Sequence, residues 1–546
     1  MGIQGSKRSF RGLRLTPIRL PDDTIGMQED MALLFSNSEA RIAVTLLDCR
    51  RWIVSRVRNW CIVWAIVAAW AWSGGAGLSG AEVKNVIVMI GDGAGFNCWL
   101  ATSMYEGRWD AAAQKCNQVY NGAEWINLAN STYPLTILTK PSKKNVQDPE
   151  LVYDPQKAWD KSLDKDGVPA AYKALKSECT DSAAAATAMS TGKKTYNVAI
   201  NWSDLDASQG PTLSELAKSR GKSVGIVTSV QWSHATPAGF SNAHVADRNS
   251  YEEIAKQMLS GDALDVVMGC GNPDFDDNGE PQRNKSYKYV GGEEAWKAIE
   301  MARSTAEGTY HGFRPVSTKS EFESLLTGAT PSRVLGTAQV AQTLQQARSR
   351  VAPGAAENEK EQRAAAEAAA KLEPPYTRPV IATVPSLSTM AKGALHVLEN
   401  NPKGLFLMVE GGAVDWANHN NQPGRMIEEL SEFNRTVEAV VAWVDSHSNW
   451  QETLLIVTAD HETGLLWGPD SKMKAFDPVV DKGQGQMPGL GYNHTSHTNS
   501  LVPLFARGAG ADEFSKRVVG TDPVRGPYVT NTAIFDVAAI GMSGDD

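Results

Sequence analysis

Four short apolar runs constrain this chain most: "VIVMI" (86–90), "VGIVTS" (224–229), "LFLMV" (405–409) and "LLIVTA" (454–459). None shows the alternation of a strand with one wet face, so each reads as a strand buried on both faces inside a parallel sheet. Helical patterns lie between them. "MIEELSEFNRTVEAVVAWV" sets Met426, Leu430, Phe433, Val437, Val440 and Val444 on one stripe, and "PTLSELAKSRG" opens with Pro and closes with Gly. The alternation predicts an α/β fold, a three-layer αβα sandwich around a mostly parallel, doubly wound central sheet with surface insertions. In such sheets ligands bind beyond the carboxyl ends of the strands.

The first 81 residues do not read as part of that fold. "RRWIVSRVRNW" is basic, "CIVWAIVAAWAW" is a short apolar run, and "SGGAGLSGA" supplies small residues before "EVKN". That is the order of an export signal, with cleavage near Ala81; an uncleaved anchor is the alternative and the only route to a membrane. Residues 82–546 are then the exported protein, periplasmic or extracellular. Two stretches depart from the alternation: 270–335 is polar and loop-like, and 340–375 is charged and Ala-rich; both read as insertions. A net charge of −9 argues against a general nucleic-acid binder, though not against an anionic substrate. Cys98, Cys116, Cys179 and Cys270 follow the export segment without a CxxC spacing, as disulfides or as free buried thiols.

Three of the strands end in an acid: "VIVMIGD" delivers Asp92, "LFLMVE" delivers Glu410 and "LLIVTAD" delivers Asp460. One such residue is an ordinary helix cap; three together at the ligand-binding end repel one another unless a cation is present. Histidines accompany them. His461 follows Asp460, Asp415 and His419 stand four apart so that one helical turn aims both at one ion, and "GYNHTSHTNSLVPLF" offers His494 or His497 before a strand. Asp and His sets with an open position suit zinc in a catalytic role.

A nucleophile candidate stands in "ECTDSAAAATAMSTGKK". Thr180 or Asp181 caps, an alanine run follows, and Ser182 falls at a helix N-terminus, where free N–H groups and the dipole favour an anion. Beyond the strand at 224–229 come His234, Thr236 and Arg248, whose guanidinium fork suits two phosphate oxygens. "DFDDNGE" (274–280) matches the first half of a calcium loop through Asp274, Asp276, Asn278 and Gly279, but its twelfth position is Lys285, and a polar turn is expected instead.

These pieces together resemble the alkaline phosphatases of the two-zinc, one-magnesium type, over roughly residues 83–510, through "GDGAG", "TDSAAAATAMSTGKKTYN", "HATPAG", "VEGGAVDWANH", "TADHETG" and "SHTNSLVPLFARG". The resemblance implies that Ser182 is the nucleophile that becomes phosphorylated and that Arg248 grips the phosphate. It implies one zinc on Asp92, Asp460 and His461, a second on Asp415, His419 and His497, and magnesium on Asp92, Thr236 and Glu410. It favours His497 over His494, because "HTNS" fits the family's His-Thr-Gly-Ser element. His234 and Trp416 stand at two substrate-side positions where relatives carry Asp and Lys or His, which leaves a water-mediated phosphate contact and the magnesium site weaker than usual.

The activity implied is hydrolysis of phosphate monoesters to an alcohol and inorganic phosphate, by double displacement through a phosphoserine. Small phosphomonoesters are then the substrates, with no specific nucleic-acid partner, and a homodimer is one assembly the resemblance allows, since relatives are often dimers. A phosphodiesterase or sulfatase of the same architecture, and a non-catalytic exported zinc- or phosphate-binding protein, are the rivals. Asp92 between glycines reads as a turn tight enough for metal and phosphate to approach the backbone.

Overall fold

The four apolar runs form the middle of an eleven-stranded sheet. In the computed structural model, which describes residues 83–349, 371 and 373–543, its strands are β1 (Asn85–Gly91), β2 (Ile126–Ser131), β3 (Ser223–Gln231), β4 (Val266–Cys270), β5 (Arg314–Val316), β6 (Val334–Thr337), β7 (Leu405–Gly411), β8 (Thr453–Thr458), β9 (Val502–Gly508), β10 (Gly520–Asp522) and β11 (Gly526–Thr530). Their order is β10-β11-β2-β9-β8-β1-β7-β3-β4-β6-β5. From β8 to β5 every neighbouring pair is parallel, and β9 pairs antiparallel with both β8 and β2. The expected mostly parallel α/β sheet is thus the one observed.

Burial on both faces has a direct cause. Along β1, Ile87 and Met89 enter one apolar core while Val86, Val88 and Ile90 enter another on the opposite face. The first core is capped by α1 (Phe96–Tyr105). The chain then covers the second face with α2 (Ser182–Thr191), α3 (Leu213–Ser219), α4 (Ala235–Phe240) and α5 (Tyr251–Leu259). It returns to the first face with α6 (Leu387–Leu398), α7 (Ala413–His419) and α8 (Pro423–His447), and ends on the second with α9 (Ala533–Ser543). The six-residue stripe expected on α8 is buried in full. α3 starts with a capping box between Thr212 and Glu215.

The polar stretch 270–335 is not loop throughout. It carries β5, β6 and the helices Glu293–Arg303 and Lys319–Ser324, so it builds one edge of the sheet. β5 is three residues long and contains Pro315, too little for any periodicity to show. Within it the calcium-like turn is closed by its own contacts: Asp276 accepts the Asn278 and Glu280 amides, and Lys285 pairs with Asp274. The export segment with its cleavage near Ala81, and the 340–375 insertion from 350 to 370, lie outside the described residues. Among the described residues no helix is long and apolar enough to cross a membrane, and Cys98, Cys116, Cys179 and Cys270 are free thiols.

Candidate active site

Sheet register brings the acids together. β8, β1 and β7 are consecutive neighbours, and Ile90 is level with both Thr458 and Glu410. Asp92 and Asp460, each two residues further on, therefore leave adjacent strands side by side. Gly93 and His461 donate their backbone N–H groups to Asp460 Oδ1 at 3.1 and 3.0 Å, which turns its Oδ2 toward His461 Nε2 at 3.2 Å. Asp92 Oδ1 lies 3.5 Å from the same nitrogen.

A second group forms around Asp415 on α7. His419 Nε2 stands 3.4 Å from Asp415 Oδ2, the one-turn spacing read from the sequence, and His497 Nε2 stands 3.7 Å from Oδ1. Both imidazoles are oriented from behind: His419 Nδ1–H donates to the Thr495 carbonyl at 2.7 Å and His497 Nδ1–H to the Thr180 carbonyl at 2.8 Å. That fixes the tautomer and leaves each Nε2 lone pair facing the carboxylate, the arrangement a metal-ligating histidine uses. One ligand atom each from Asp92, Asp460 and His461 falls within 4.8 Å of the others, as do those of Asp415, His461 and His497. His461 joins the two sets and stacks on His497 at 3.7 Å. His494 belongs to neither set.

The electrostatics of the cluster are those of like charges in a dry place. Burial, then the charges of Asp460, Asp415 and Glu410, hold the Asp92 carboxyl well above the usual carboxylate range. Burial likewise pushes Glu410 up to about 7 and Asp460 up to about 6. Burial, then the neighbouring His497, His419 and Arg248, hold His461 well below its ordinary value, so its imidazole is neutral. Glu410 Oε2 accepts the Thr228 hydroxyl, and the Thr236 hydroxyl lies beside the same carboxylate. Four buried oxygens, Asp92 Oδ1, Asp460 Oδ2, Glu410 Oε1 and Thr236 Oγ1, have no hydrogen-bond donor. Buried oxygens left without donors are costly, and cations satisfy them. The donor set therefore fits divalent metal ions.

Ser182 starts α2, capped by Asp181 rather than Thr180; Asp181 Oδ1 accepts the Ala184 N–H. The Ser182 hydroxyl lies 3.1 Å from His461 Nε2, so the helix N-terminus points at the junction of the two ligand sets. Asp181 does more than cap. Its Oδ2 takes Arg248 Nη1 at 2.9 Å, holding the guanidinium next to the serine. Arg248 itself sits in a loop ahead of α5, and its backbone N–H is tied to the Val198 carbonyl.

His234 and Trp416 come together, with ring centroids 5.7 Å apart. Burial, then the charges of Arg248 and Lys288, lower His234 to about 3. Among the described residues no hydrogen bond ties either side chain to Ser182 or to the carboxylates. Sequence reasoning missed Asp181 as the anchor of Arg248, Thr228 on Glu410, and Thr463, whose hydroxyl donates to Asp415 Oδ1 at 2.6 Å and lies 3.3 Å from His461 Nδ1. Only Thr463 left a trace in one dimension, standing two residues after His461 at the end of a two-residue strand.

Comparison with known proteins follows the same line. The family model described as alkaline phosphatase matches residues 145–488. Over 390 residues, 70% of this chain and 62% of the relative, the chain is 28% identical to alkaline phosphatase 3 of Bacillus subtilis (strain 168). It is 27% identical to alkaline phosphatase 4 of the same organism over 499 residues, 81% of this chain and 87% of that one. The crystal structure of a cold-active alkaline phosphatase from a psychrophilic Shewanella species superposes with a TM-score of 0.53 at 22% identity, covering 84% of this chain and 99% of that one, a likeness of fold.

Proposed function

Because the chain belongs to the alkaline phosphatase family, we propose that it hydrolyses phosphate monoesters through a covalent phosphoserine on Ser182. In this reading 82–546 is the catalytic domain, exported to the periplasm or beyond. The observation that carries the proposal is the position of the Ser182 hydroxyl: at the first residue of α2, 3.1 Å from His461 Nε2 and beside the Asp181-held Arg248. Two zinc ions, on Asp92, Asp460 and His461 and on Asp415, His419 and His497, and a magnesium ion on Asp92, Glu410 and Thr236, are the cofactors that the donor set suits. When bound they neutralise the clustered carboxylates and supply the Lewis acidity that makes a hydroxyl or water nucleophilic near neutral pH.

The chain's own residues do the rest. Arg248 grips two equatorial oxygens of the phosphoryl group and keeps its heading because Asp181 holds its other edge. Free N–H groups at the start of α2 face the same charge. The Ser182 oxygen attacks phosphorus in line with the departing alcohol, forming the phosphoserine, and water then releases phosphate from it. Neutral His461 keeps a lone pair for ligation and adds no proton of its own.

Ser182→Ala tests the covalent route. Hydrolysis of p-nitrophenyl phosphate is expected to fall to background while zinc content, measured by elemental analysis, stays that of the unaltered protein. Ordinary turnover in the variant would refute the route. Monoester, diester and sulfate ester substrates assayed side by side separate this reading from a phosphodiesterase or sulfatase.

A further inference from the structure

The residues that face phosphate leave the alcohol side unread, but the wall beyond Trp416 does not. A cavity of about 600 Å³ borders Trp416, the residue after Asp415, and is lined also by Lys288 and Tyr289. Its cationic side chains are matched within the protein, with one exception. Arg348 and Arg425 both pair with Glu428, at 2.7 and 3.0 Å, and Arg378 pairs with Glu373 at 2.7 Å. Lys288 is exposed, and among the described residues no carboxylate stands within ion-pair distance of it.

Its ammonium is nevertheless placed. It lies 5.0 Å from the ring centroid of Tyr251 and 4.6 Å from that of Tyr289. Those two rings meet at 4.6 Å, Tyr251 stacks on His234 at 6.2 Å, and His234 meets Trp416 at 5.7 Å. A continuous aromatic row thus runs from Trp416, next to a ligand candidate, to Lys288 at the cavity wall. The Trp416 end of that row adjoins the candidate site, because Trp416 directly follows Asp415 in α7. Aromatic faces hold a cation in place but accept none of the three N–H bonds an ammonium donates. A positioned cation with free donors, facing a polar cavity on a chain of net charge −9, is an acceptor for an anion.

We propose that Lys288 is a specificity-determining residue: it binds a second anionic group, phosphate or carboxylate, carried by the alcohol portion of a phosphomonoester lodged in this cavity. The enzyme then favours esters of charged alcohols over esters of neutral ones. The proposal rests on the phosphomonoesterase reading of the site.

The test uses the zinc- and magnesium-loaded full chain and two substrate pairs, 3-phosphoglycerate against glycerol 3-phosphate and fructose 1,6-bisphosphate against fructose 1-phosphate. Lys288→Gln is expected to lower kcat/KM for the charged member of at least one pair by about fivefold or more, the scale of one charge-assisted hydrogen bond. The neutral member and p-nitrophenyl phosphate stay unchanged, and Lys288→Arg retains the preference. The pair that responds identifies the anion, and added salt shrinks the preference in the unaltered protein. If Lys288→Gln leaves both ratios unmoved, or lowers both members of each pair equally, the proposal is overturned while the catalytic reading stands. No turnover of p-nitrophenyl phosphate by the unaltered protein would sink the catalytic reading and this proposal with it.

Discussion

Gly93 offers the sharpest test of how the site is assembled. It follows Asp92 with φ +70°, and a Cβ built there would meet Asp415 Oδ1 at 2.7 Å, Asp415 Cα at 2.8 Å and Asp415 Cβ at 2.9 Å. The glycine is therefore demanded by a ligand candidate on another element. Gly93→Ala brings two costs. The left-handed conformation costs an L-residue about 1–2 kcal/mol. The clash falls partly on backbone, which in α7 cannot swing aside as a side-chain tip does, and overpacking of that kind costs about 1–3 kcal/mol. Destabilisation of about 2–5 kcal/mol follows, together with a displaced Asp415 and zinc affinity lower by about tenfold or more, the usual penalty for misaligning a ligand.

Gly91 supplies the control from the same motif. Its φ is not left-handed, and a Cβ there would meet only Ala94 and Trp99 side chains at 3.4 Å and Leu430 at 3.7 Å. Gly91→Ala is expected to stay within about 1 kcal/mol. Guanidinium unfolding of the metal-free proteins reads the stability difference, and competition with a chromogenic chelator reads zinc affinity. If Gly93→Ala matches Gly91→Ala in both, the argument from close approach is wrong.

Two further outcomes follow from charge and burial. Glu410 and Asp460 bind protons more tightly folded than unfolded, their values rising from 4.5 to about 7 and from 3.8 to about 6. The folded, metal-free protein thus holds the extra protons, and its stability falls as pH climbs through about 4 to 7. Chelating the metals should therefore lower the thermal midpoint more at pH 8 than at pH 5; a gap between metal-loaded and metal-free protein that ignores pH would contradict the like-charge account. Glu428→Gln leaves the buried guanidinium groups of Arg348 and Arg425 without their shared carboxylate. A loss of about 3–5 kcal/mol is expected, read from denaturant midpoints, and an unchanged midpoint would show that these charges find other partners.

The middle of the fold, and the residue types gathered at the candidate site, are legible along the chain. β8, β1, β7 and β3 are written in runs apolar on both faces, the stripe of α8 in its spacing, and the carboxylates stand at strand ends because a chain position fixes them there. One-turn spacing likewise gave Asp415 and His419. The edge strand β5 and its neighbour β6 were not legible, since a strand of three or four residues, partly polar in its surroundings, carries no period.

Which distant groups meet is settled by packing alone. Nothing local tells Asp181 that it will hold Arg248 as well as cap α2, or Thr463 that it will bond Asp415, or Gly93 that Asp415 will press against it. Caps and periodicities are properties of neighbours along the chain, whose geometry the backbone dictates. Contacts across dozens or hundreds of residues arise only when strand register and helix packing bring separate elements to the carboxyl end of one sheet, and there a single ångström decides whether two groups pair or collide.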